Sequence, residues 1–378
     1  MHDYDLIVAG GGFAGLHCAQ AAARTGLRTA VLERKTEFGL HPHTTGILVR
    51  EIAETWPVPA RLTRRIEKIR LYGPSRQCLE LASPGYYFLA TDTAGLLRWQ
   101  AEQARQAGAH LLAGHACHGV LTTEGNVLVN TGRGGRGLRG TFLAAADGAR
   151  SRIASELGLG VNRRFLFGVE AEFLRTGDVL EDCFHVFLDP RLAPGYVAWL
   201  VPGVDRIHVG LAVRQPRRPR LDHVLRLADE ILGIKLGEPD AYRAGLIPCG
   251  GRVRPLSRGN VMLLGDAAGL VSPLTAGGIH PAVETGRLAG EAIADYLLHD
   301  GIHPAAVLRR RAPRYTFKRG LRRLYDVLPG QRWLLDTAFS SRLFRSLAET
   351  VFFHHHGLWS PRAWRDIARC LRGVERGG

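Results

Sequence analysis

The chain has 378 residues, a length that predicts two interlocked domains or one domain with a helical extension. Its hydrophobic fraction of 46% is typical of a globular protein, no apolar stretch is long enough to cross a bilayer, and the N-terminus leads into a predicted strand instead of a signal peptide. We therefore expect a cytoplasmic protein. The formal net charge of +15 predicts attraction to an anionic surface, either nucleic acid or acidic lipid.

The first predicted elements are a strand, a glycine-rich turn and a helix. The apolar run from Leu6 to Ala9 has the composition of a buried parallel strand, and Gly10, Gly12 and Gly15 follow it. Glycines at this spacing allow a tight turn, a close approach of the backbone to a pyrophosphate and close helix packing. The helix predicted from Phe13 to Arg24 would present unpaired N–H groups and a positive dipole end to the phosphates.

An acidic residue completes this dinucleotide motif. A second apolar run, Thr29 to Leu32, ends at Glu33, where a carboxylate can accept hydrogen bonds from ribose hydroxyls. The same glycine spacing recurs from Gly132 to Gly137, but it lies among arginines and no helix start follows it, so we predict a flexible cationic hairpin loop there. The chain thus has one dinucleotide motif that is accompanied by a preceding strand, a following helix and an acidic residue. It has no evident separate domain for NAD(P)H.

Later segments of the chain are predicted to add strands and helices to this dinucleotide-binding module. The pattern predicts a strand from Thr141 to Ala146 that would bring Asp147 back towards the cofactor, and a strand from Asn260 that leads to Gly265 and Asp266. The predicted helices are Asp92–Gly108, Ala149–Leu157 and Gly278–Leu298, and a short strand is predicted over Ala109–Ala113. The two glycine-rich segments, far apart in the chain, look like the two ends of one cofactor site. Together they predict bound FAD.

A different pattern predicts a second domain between about residues 161 and 250. Short β-like runs would form a mostly antiparallel sheet over the flavin, interrupted by a helix around Leu221 to Leu232. The runs are Phe167–Leu174, Phe184–Leu188, Tyr196–Val201 and Ile207–Val213. We predict an α/β protein, α+β overall. Residues 1–160 and 251–300 would form a discontinuous Rossmann-like FAD-binding domain, residues 161–250 an inserted substrate-binding β-sheet domain, and residues 301–378 a helical C-terminal region.

The tail beyond Pro304 interleaves cations with large apolar groups, in Arg332–Leu335, Arg342–Arg345 and Trp364–Arg365. This pattern is typical of an amphipathic helical region on a membrane surface, and equally of helices that cover a core and expose an arginine face. No nucleic-acid motif accompanies the charge, so an anionic membrane surface is the favoured partner.

Cysteine and histidine usage indicates no metal site. The six cysteines are spread along the chain without a CxxC pair or a Cys/His cluster at metal spacing, which predicts reduced thiols. The tract His354-His355-His356 has no carboxylate or cysteine close to it in the sequence, and we interpret it as a surface feature.

Three motifs resemble those of known flavoproteins: Gly10–Gly15 with Glu33-Arg34-Lys35, Asp147–Ser151 and Gly265–Ile279. On these residues the chain resembles flavoproteins of the para-hydroxybenzoate hydroxylase type of fold, and more closely their geranylgeranyl reductase family, over roughly residues 3–298. The last motif, with Pro-Leu-Thr before paired glycines, looks more like the reductases than the hydroxylases. The resemblance implies these cofactor-binding residues: Gly10, Gly12, Phe13, Ala14, Gly15, Glu33, Arg34, Asp147, Gly148, Gly265, Asp266, Pro273, Gly277, Gly278 and Ile279.

The same resemblance implies roles for some of these residues. Asp266 would lie near the ribityl and pyrophosphate part of FAD. The helix that starts at Gly278 would aim its N-terminus at the flavin pyrimidine edge, where negative charge accumulates on reduction. Thr93 stands where related proteins usually have an arginine, which is a departure from the family pattern.

Candidates for substrate contact and proton donation also come from the resemblance. The segment Tyr196 to Gly203 resembles the family's aromatic strand motif, which lines the substrate cavity, with Tyr196 and Trp199 as substrate-binding candidates. An extra residue between them would put the two rings on opposite faces of a strand, leaving one to serve the core. His41 and His43 lie where the family brings a loop to the flavin, so either is a candidate proton donor and a structural histidine is the alternative.

These features lead to one functional hypothesis and its alternatives. The leading hypothesis is an FAD-dependent oxidoreductase that reduces carbon–carbon double bonds of a hydrophobic, isoprenoid-type substrate by hydride transfer from reduced flavin, with NAD(P)H a candidate transient electron donor. The alternative is an FAD-dependent monooxygenase of a hydrophobic or aromatic substrate. A halogenase is disfavoured because no Trp-x-Trp-x-Ile-Pro segment occurs. A non-catalytic prenyl or lipid carrier is disfavoured because it need not retain the FAD-binding residues.

Overall fold

The computed structural model describes residues 3–132, 137–174, 182–233, 235–327, 332–339 and 341–353. In chain order the strands are β1 (Asp3–Ala9), β2 (Thr29–Glu33), β3 (Ile47–Val49), β4 (Thr63–Ile66), β5 (Lys68–Tyr72), β6 (Cys78–Ala82), β7 (Phe88–Thr91), β8 (His110–Ala113), β9 (Gly119–Thr123), β10 (Asn126–Asn130), β11 (Leu138–Ala145), β12 (Phe165–Leu174), β13 (Cys183–Phe187), β14 (Ala198–Pro202), β15 (Arg206–Arg214), β16 (Ala241–Pro248), β17 (Ser257–Arg258) and β18 (Val261–Leu263). The helices are α1 (Phe13–Ala23), α2 (Arg50–Thr55), α3 (Thr93–Gln106), α4 (Arg152–Glu156), α5 (Leu221–Leu232), α6 (Ile279–His299), α7 (Pro304–Arg311), α8 (Thr316–Val327), α9 (Arg332–Phe339) and α10 (Arg342–Phe353). Single 3₁₀ turns occupy Ala60–Leu62 and Gly265–Ala268.

The chain divides into two compact units. The first comprises Met1–Pro42, Thr93–Phe165 and Leu246–Arg319, and the second comprises His43–Asp92, Leu166–Gly245 and Gly320–Gly378. These units differ from the predicted division at residues 43–92 and in the C-terminal helices. The physical reason is that β4, β5, β6, β7, α9 and α10 bury apolar side chains in one shared core of the second unit.

The first unit is built on a largely parallel sheet with the order β17-β18-β11-β1-β2-β8. Leu6, Ile7 and Val8 of its central strand β1 are fully buried, as a parallel strand covered on both faces requires. The predicted strand, turn and helix at the N-terminus are therefore confirmed. Strands β10 and β11 pair antiparallel across the predicted hairpin. Residues 133–136 of that loop lie outside the described residues.

Helices α1 and α6 pack with their backbones unusually close together. A Cβ atom on Gly286 would collide with the carbonyl oxygen of Ala14, and one on Gly290 would collide with that of Cys18. Four residues separate the partners on each helix, so the two helices run in the same direction. Glycine is needed at both positions of α6 because any side chain would push the helices apart.

The second unit is built on a sheet with the order β16-β12-β15-β14-β13-β5-β6. Its described ladders are antiparallel except for the parallel β13–β5 pair. One face packs Phe173, Leu200 and Val209 against Val224 and Ala228 of α5. The other face forms a core with the small sheet β3-β7-β4 and the C-terminal helices, including Val186, Val201, Phe88, Phe339 and Phe353. The predicted, mostly antiparallel sheet is confirmed.

The described part of the tail contributes to this second core. Phe339 of α9 is 8% exposed and Phe353 of α10 is 1% exposed, whereas Arg342, Leu343 and Arg345 lie on the exposed side of α10. Such a distribution is that of helices covering a core. Among the described residues, no helix is long and apolar enough to cross a membrane. The histidine tract at residues 354–356 and the Trp364–Arg365 pair lie outside the described residues.

Candidate cofactor site

The carboxyl ends of four parallel strands meet at one edge of the first-unit sheet. Ala9 of β1 pairs with Leu32 of β2 and with Ala145 of β11, and Ala145 pairs with Leu263 of β18. The residues that follow these positions by one to three places therefore lie along one edge, although they come from four separate parts of the sequence. They are Gly10, Glu33, Asp147 and Asp266. This edge is where open α/β sheets bind their ligands.

The glycine loop after β1 has space for a bound group only at Gly12. Gly10 has φ +113°, and a Cβ there would collide with the carbonyl oxygen of Ala146, while a Cβ on Gly15 would collide with that of Gly10. By contrast, a Cβ on Gly12 would have no described protein atom within 4 Å. Gly10 and Gly15 thus serve the packing of the loop, and Gly12 opens onto free space of the kind a pyrophosphate needs.

Glu33 fixes the glycine loop through its carboxylate. Its Oε2 accepts a hydrogen bond from the Gly11 N–H at 2.8 Å, and its Oε1 accepts one from the Lys35 N–H at 2.9 Å. A carboxylate has further lone pairs, so Glu33 remains able to accept from a ribose hydroxyl as predicted. The loop-holding contact with Gly11 is an additional role that the sequence did not indicate.

Asn162 links the second and third motifs, although no sequence pattern indicates this role. Its Nδ2 donates to the carbonyl oxygens of Ala149 (3.0 Å) and Asp266 (2.7 Å). The side chain belongs to no recognisable motif and precedes β12 by a few residues. Only the fold brings it between Ala149 and Asp266.

Two partly buried carboxyl groups, those of Asp147 and Asp266, are available as hydrogen-bond acceptors at this edge. Burial raises the pKa of Asp266 to about 6, and burial also raises the pKa of Asp147 above its usual value. Asp147 Oδ2 accepts from the Ile153 N–H at 3.2 Å, while its buried Oδ1 has no partner among the described residues. Because an unsatisfied buried oxygen is costly, Asp147 Oδ1 fits a site in which a bound ligand supplies the hydrogen-bond donor.

The loop before α6 brings a second helix N-terminus to the first unit. Its turn is closed by the Ser272 N–H, which donates to the Gly277 carbonyl at 3.1 Å. Gly265 lies close to the start of α1, since a Cβ on it would be 2.9 Å from the Ala14 Cβ. Helix α6 begins directly after Gly278, which provides no side-chain cap. Its first N–H groups and its positive dipole end are therefore available to an anion or a polarised carbonyl.

The remaining predicted cofactor residues also lie in the first unit. Phe13 and Ala14 are buried in the first turn of α1, and Arg34 is exposed beyond β2. Gly148 follows Asp147 with φ +90°. Pro273, Gly277 and Ile279 lie in the loop before α6 and at its start. Thr93, at the position of the family's arginine, is fully buried as the first residue of α3.

The predicted substrate-binding residues lie in the second unit. Trp199 is on β14, but Tyr196 lies in the turn that precedes this strand. Strand alternation therefore does not set their relative orientation, and the expectation of opposite strand faces was wrong on this point. Burial raises the pKa of the Tyr196 hydroxyl above its usual range.

The two histidine candidates fall in different units. His41, in the first unit, has φ 43° and its carbonyl accepts from Lys35 Nζ at 2.8 Å. His43, in the second unit, places Nδ1 2.9 Å from the Ala244 carbonyl. That contact anchors the ring to the backbone of its own unit, in keeping with the structural alternative. The role of either histidine as a proton donor stays a prediction.

The open space at Gly12, the two helix N-termini and the acceptors at the sheet edge fit FAD. Residues 3–301 match the protein family described as "FAD binding domain". The chain is an FAD-dependent oxidoreductase with FAD as its cofactor.

Relatives of known name show which family of FAD-dependent oxidoreductases the chain belongs to. The chain is 32% identical over 353 residues to digeranylgeranylglycerophospholipid reductase 2 of Methanopyrus kandleri, covering 85% of each chain. It is 31% identical over 304 residues to the protein of the same name from Methanothermobacter thermautotrophicus, covering 77% of this chain and 78% of the relative. The chain belongs to the geranylgeranyl reductase family.

Solved structures show the same fold. A geranylgeranyl bacteriochlorophyll reductase-like protein from Thermoplasma acidophilum aligns with a TM-score of 0.81 at 20% identity, covering 98% of this chain and 100% of that protein. The flavin-dependent brominase Bmp2 aligns with a TM-score of 0.71 at 14% identity, covering 99% of this chain and 98% of the brominase. At these identities the likeness concerns the fold alone.

Replacing Gly12 with valine is expected to abolish FAD retention without unfolding the protein. The backbone of Gly12 has φ −86° and ψ −177°, which any residue adopts, and its Cβ position is free of protein atoms. The valine side chain would occupy the space of the pyrophosphate. The flavin content of the purified variant, measured by absorbance beside its circular dichroism spectrum, checks this. A folded variant with normal flavin content would contradict the assignment of the site.

The substitution Asp266→Asn is expected to change apo stability and FAD affinity in opposite directions. The folded state raises the pKa of Asp266 from 3.8 to about 6, so ionising this carboxyl destabilises the fold as pH rises through that window. The apo variant should match the wild type near pH 3 and be more stable by about 2–3 kcal/mol at pH 7. It should also bind FAD more weakly, as should Asp266→Ala.

Urea unfolding of the two apo proteins at a series of pH values, with flavin titrations alongside, measures both effects. A stability difference that does not vary with pH would show that Asp266 keeps an ordinary pKa. Unchanged FAD affinity would show that the second half of the site is misplaced.

Proposed function

We propose that this protein reduces carbon–carbon double bonds of a hydrophobic isoprenoid-type substrate. The observation that carries the proposal is the 32% identity to a digeranylgeranylglycerophospholipid reductase over 85% of both chains. Bound FAD supplies the hydride chemistry when it is reduced. The protein's part is to hold and orient the reactants and to keep water away from the reacting carbons.

In this proposal the first unit holds the cofactor. Gly12 provides room for the pyrophosphate, Glu33 and Asp147 accept from hydroxyl groups, and Asp266 accepts near the ribityl chain. The α6 N-terminus stabilises the negative charge that the reduced flavin ring carries. We propose that Tyr196 and Trp199 of the second unit contact the substrate chain. Electrons would come from an external donor, with NAD(P)H a candidate.

A monooxygenase is the second candidate because the fold does not separate it from a reductase. A probable FAD-dependent monooxygenase from Pseudomonas aeruginosa has the same fold, with a TM-score of 0.69 at 18% identity. The curated relatives of higher identity are reductases, so reduction is favoured. A non-catalytic carrier is disfavoured because the loop, helix termini and acidic residues of the FAD site are all in place.

The reductase activity is expected under strictly anaerobic conditions. Purified protein with dithionite-reduced FAD should convert polyprenyl substrates to products that carry two additional hydrogen atoms per reduced double bond, as measured by mass spectrometry. Enzyme with oxidised FAD and no reductant is the control. If the panel stays unchanged without oxygen while the substrate stimulates oxygen consumption in air, the monooxygenase is the correct assignment.

We also propose that the protein works at an anionic membrane surface, where such a substrate partitions. The supporting feature is the corner between α6 and α7 in the first unit. Leu298 and Ile302 are 48% and 56% exposed there, and Arg309, Arg310 and Arg311 are exposed in the last turn of α7. Exposed apolar groups close in sequence to arginines are typical of interfacial binding, and each arginine adds about 1 kcal/mol of attraction to an anionic surface.

The protein is expected to bind vesicles that contain acidic lipids and to lose much of that binding when salt is raised. The triple variant R309Q/R310Q/R311Q should bind such vesicles more weakly than the control R217Q/R218Q/R220Q, which removes the same charge from another exposed segment. Truncation at Pro304 would be a poor test because it removes Phe339 and Phe353 from the core. Vesicle sedimentation provides the measurement. Equal binding to neutral vesicles, or equal loss in both triple variants, would contradict the proposal.

A further inference from the structure

Two glutamates and a histidine form a buried cluster in the second unit that no motif indicated. Glu170, Glu172 and His208 are 3%, 4% and 4% exposed. One ligand-type atom from each lies within 4.8 Å of the others, as in a metal site. However, Glu172 already forms ion pairs with Arg243 and Arg206, which provide the positive charge that a metal would bring. The cluster is therefore an ion-pair and hydrogen-bond network, and its purpose must be sought in what it holds.

Glu170 holds the indole ring of Trp199. In the sheet, Gly210 of β15 pairs with Glu170 of β12 on one side and with Trp199 of β14 on the other, so the three residues form one row on one face. A Cβ on Gly210 would lie 2.7 Å from the indole Cε2 and Cζ2 atoms. The ring therefore lies across Gly210, and its Nε1 donates to Glu170 Oε2 at 2.8 Å.

The same carboxylate also holds a loop of the second unit. Thr45 Oγ1 donates to Glu170 Oε2 at 2.5 Å, and His208 Nδ1 lies 3.2 Å from Glu170 Oε1. Burial would raise the pKa of Glu170, but His208, Thr45 and Trp199 together hold it below its usual value. Glu170 is thus a buried anion with three hydrogen-bonding partners, a strong contact type that fixes side-chain orientation.

A neighbouring contact fastens the same loop. Arg243 is paired with Glu172 and donates from Nη1 to the Thr44 carbonyl at 2.8 Å. Trp199 itself is only half-buried, so its ring is fixed at the Nε1 edge while part of its surface remains open. An aromatic ring held in this way is a suitable wall for an apolar chain.

We propose that Glu170 is a positioning residue that sets substrate recognition by holding the Trp199 indole against Gly210. This inference rests on the proposed function, in which Trp199 contacts the isoprenoid chain. Glu170 donates no group to the reaction: it contacts the indole and the Thr45 hydroxyl, and its proposed effect on substrate binding passes through the indole. Removing it should impair binding of the chain more than the chemical step.

The test compares Glu170→Ala with Glu170→Gln in FAD-loaded enzyme, using a polyprenyl substrate and dithionite under anaerobic conditions. The alanine variant should raise KM by about tenfold or more, as expected for loss of a hydrogen bond to a charged group, with a much smaller change in kcat. The glutamine variant keeps an oxygen that accepts from Trp199 and should restore most of the KM. Glu80→Ala, which removes an exposed glutamate from strand β6 of the same sheet, should leave both constants unchanged.

A double-mutant cycle separates positioning from a merely structural role. In a Trp199→Phe background the Nε1 donor is gone, so Glu170→Ala should have little further effect on KM. A KM effect that persists in this background, or a loss confined to kcat, would overturn the proposal. If Glu170→Ala fails to fold, Trp199→Phe alone decides: a KM equal to that of the wild type would overturn it.

The failure of the inference is distinguishable from that of the proposed function. A wild-type enzyme inactive on the whole substrate panel would contradict the proposed function, and the inference with it. An active wild type whose KM is unaffected by Glu170→Ala would contradict only the inference.

Discussion

The close packing of α1 against α6 is the constraint on which the cofactor site depends. The carbonyl oxygens of Ala14 and Cys18 occupy positions that side chains on Gly286 and Gly290 would need. Because the two helices are parallel, this contact fixes the N-terminus of α6 relative to the glycine loop before α1. Gly265 also lies close to Ala14, so the start of α1 helps to position the next residue, Asp266. Segments more than 250 residues apart in the sequence thereby form one site.

The carboxyl groups of the two units differ in the partners that surround them. At the sheet edge of the first unit, Asp147 and Asp266 are partly buried, and desolvation raises their pKa values, so ionising these carboxyl groups costs stability. In the second unit, Glu170 and Glu172 are buried with their hydrogen-bond donors and arginines already in place. Buried ion pairs contribute little net stability, but they fix geometry, and the proposed contact of Trp199 with an apolar chain requires a fixed ring.

Elements with local signals could be predicted from the sequence. The run Leu6–Ala9, the glycine spacing and the acid at Glu33 all depend on neighbours in the chain, and helix α5 was predicted with its observed bounds. Asn162 and Glu170 could not be predicted, because each acts on partners brought to it by sheet pairing across tens of residues. The place of residues 43–92 could not be predicted either, because their short strands share a core with residues far away in the sequence. The apolar pattern predicts a strand that includes Tyr196, whereas this residue lies in the turn that follows Pro194.

The measurement that tests the central claim most directly is anaerobic reoxidation of the flavin by substrate. The purified protein should show the absorption spectrum of bound FAD, lose it on titration with dithionite, and regain it when a polyprenyl substrate is mixed in without oxygen. The rate of recovery should rise and saturate with substrate concentration. A protein that is colourless and cannot be reconstituted with FAD would contradict the cofactor site. Flavin that stays reduced until oxygen is admitted would contradict the reductase.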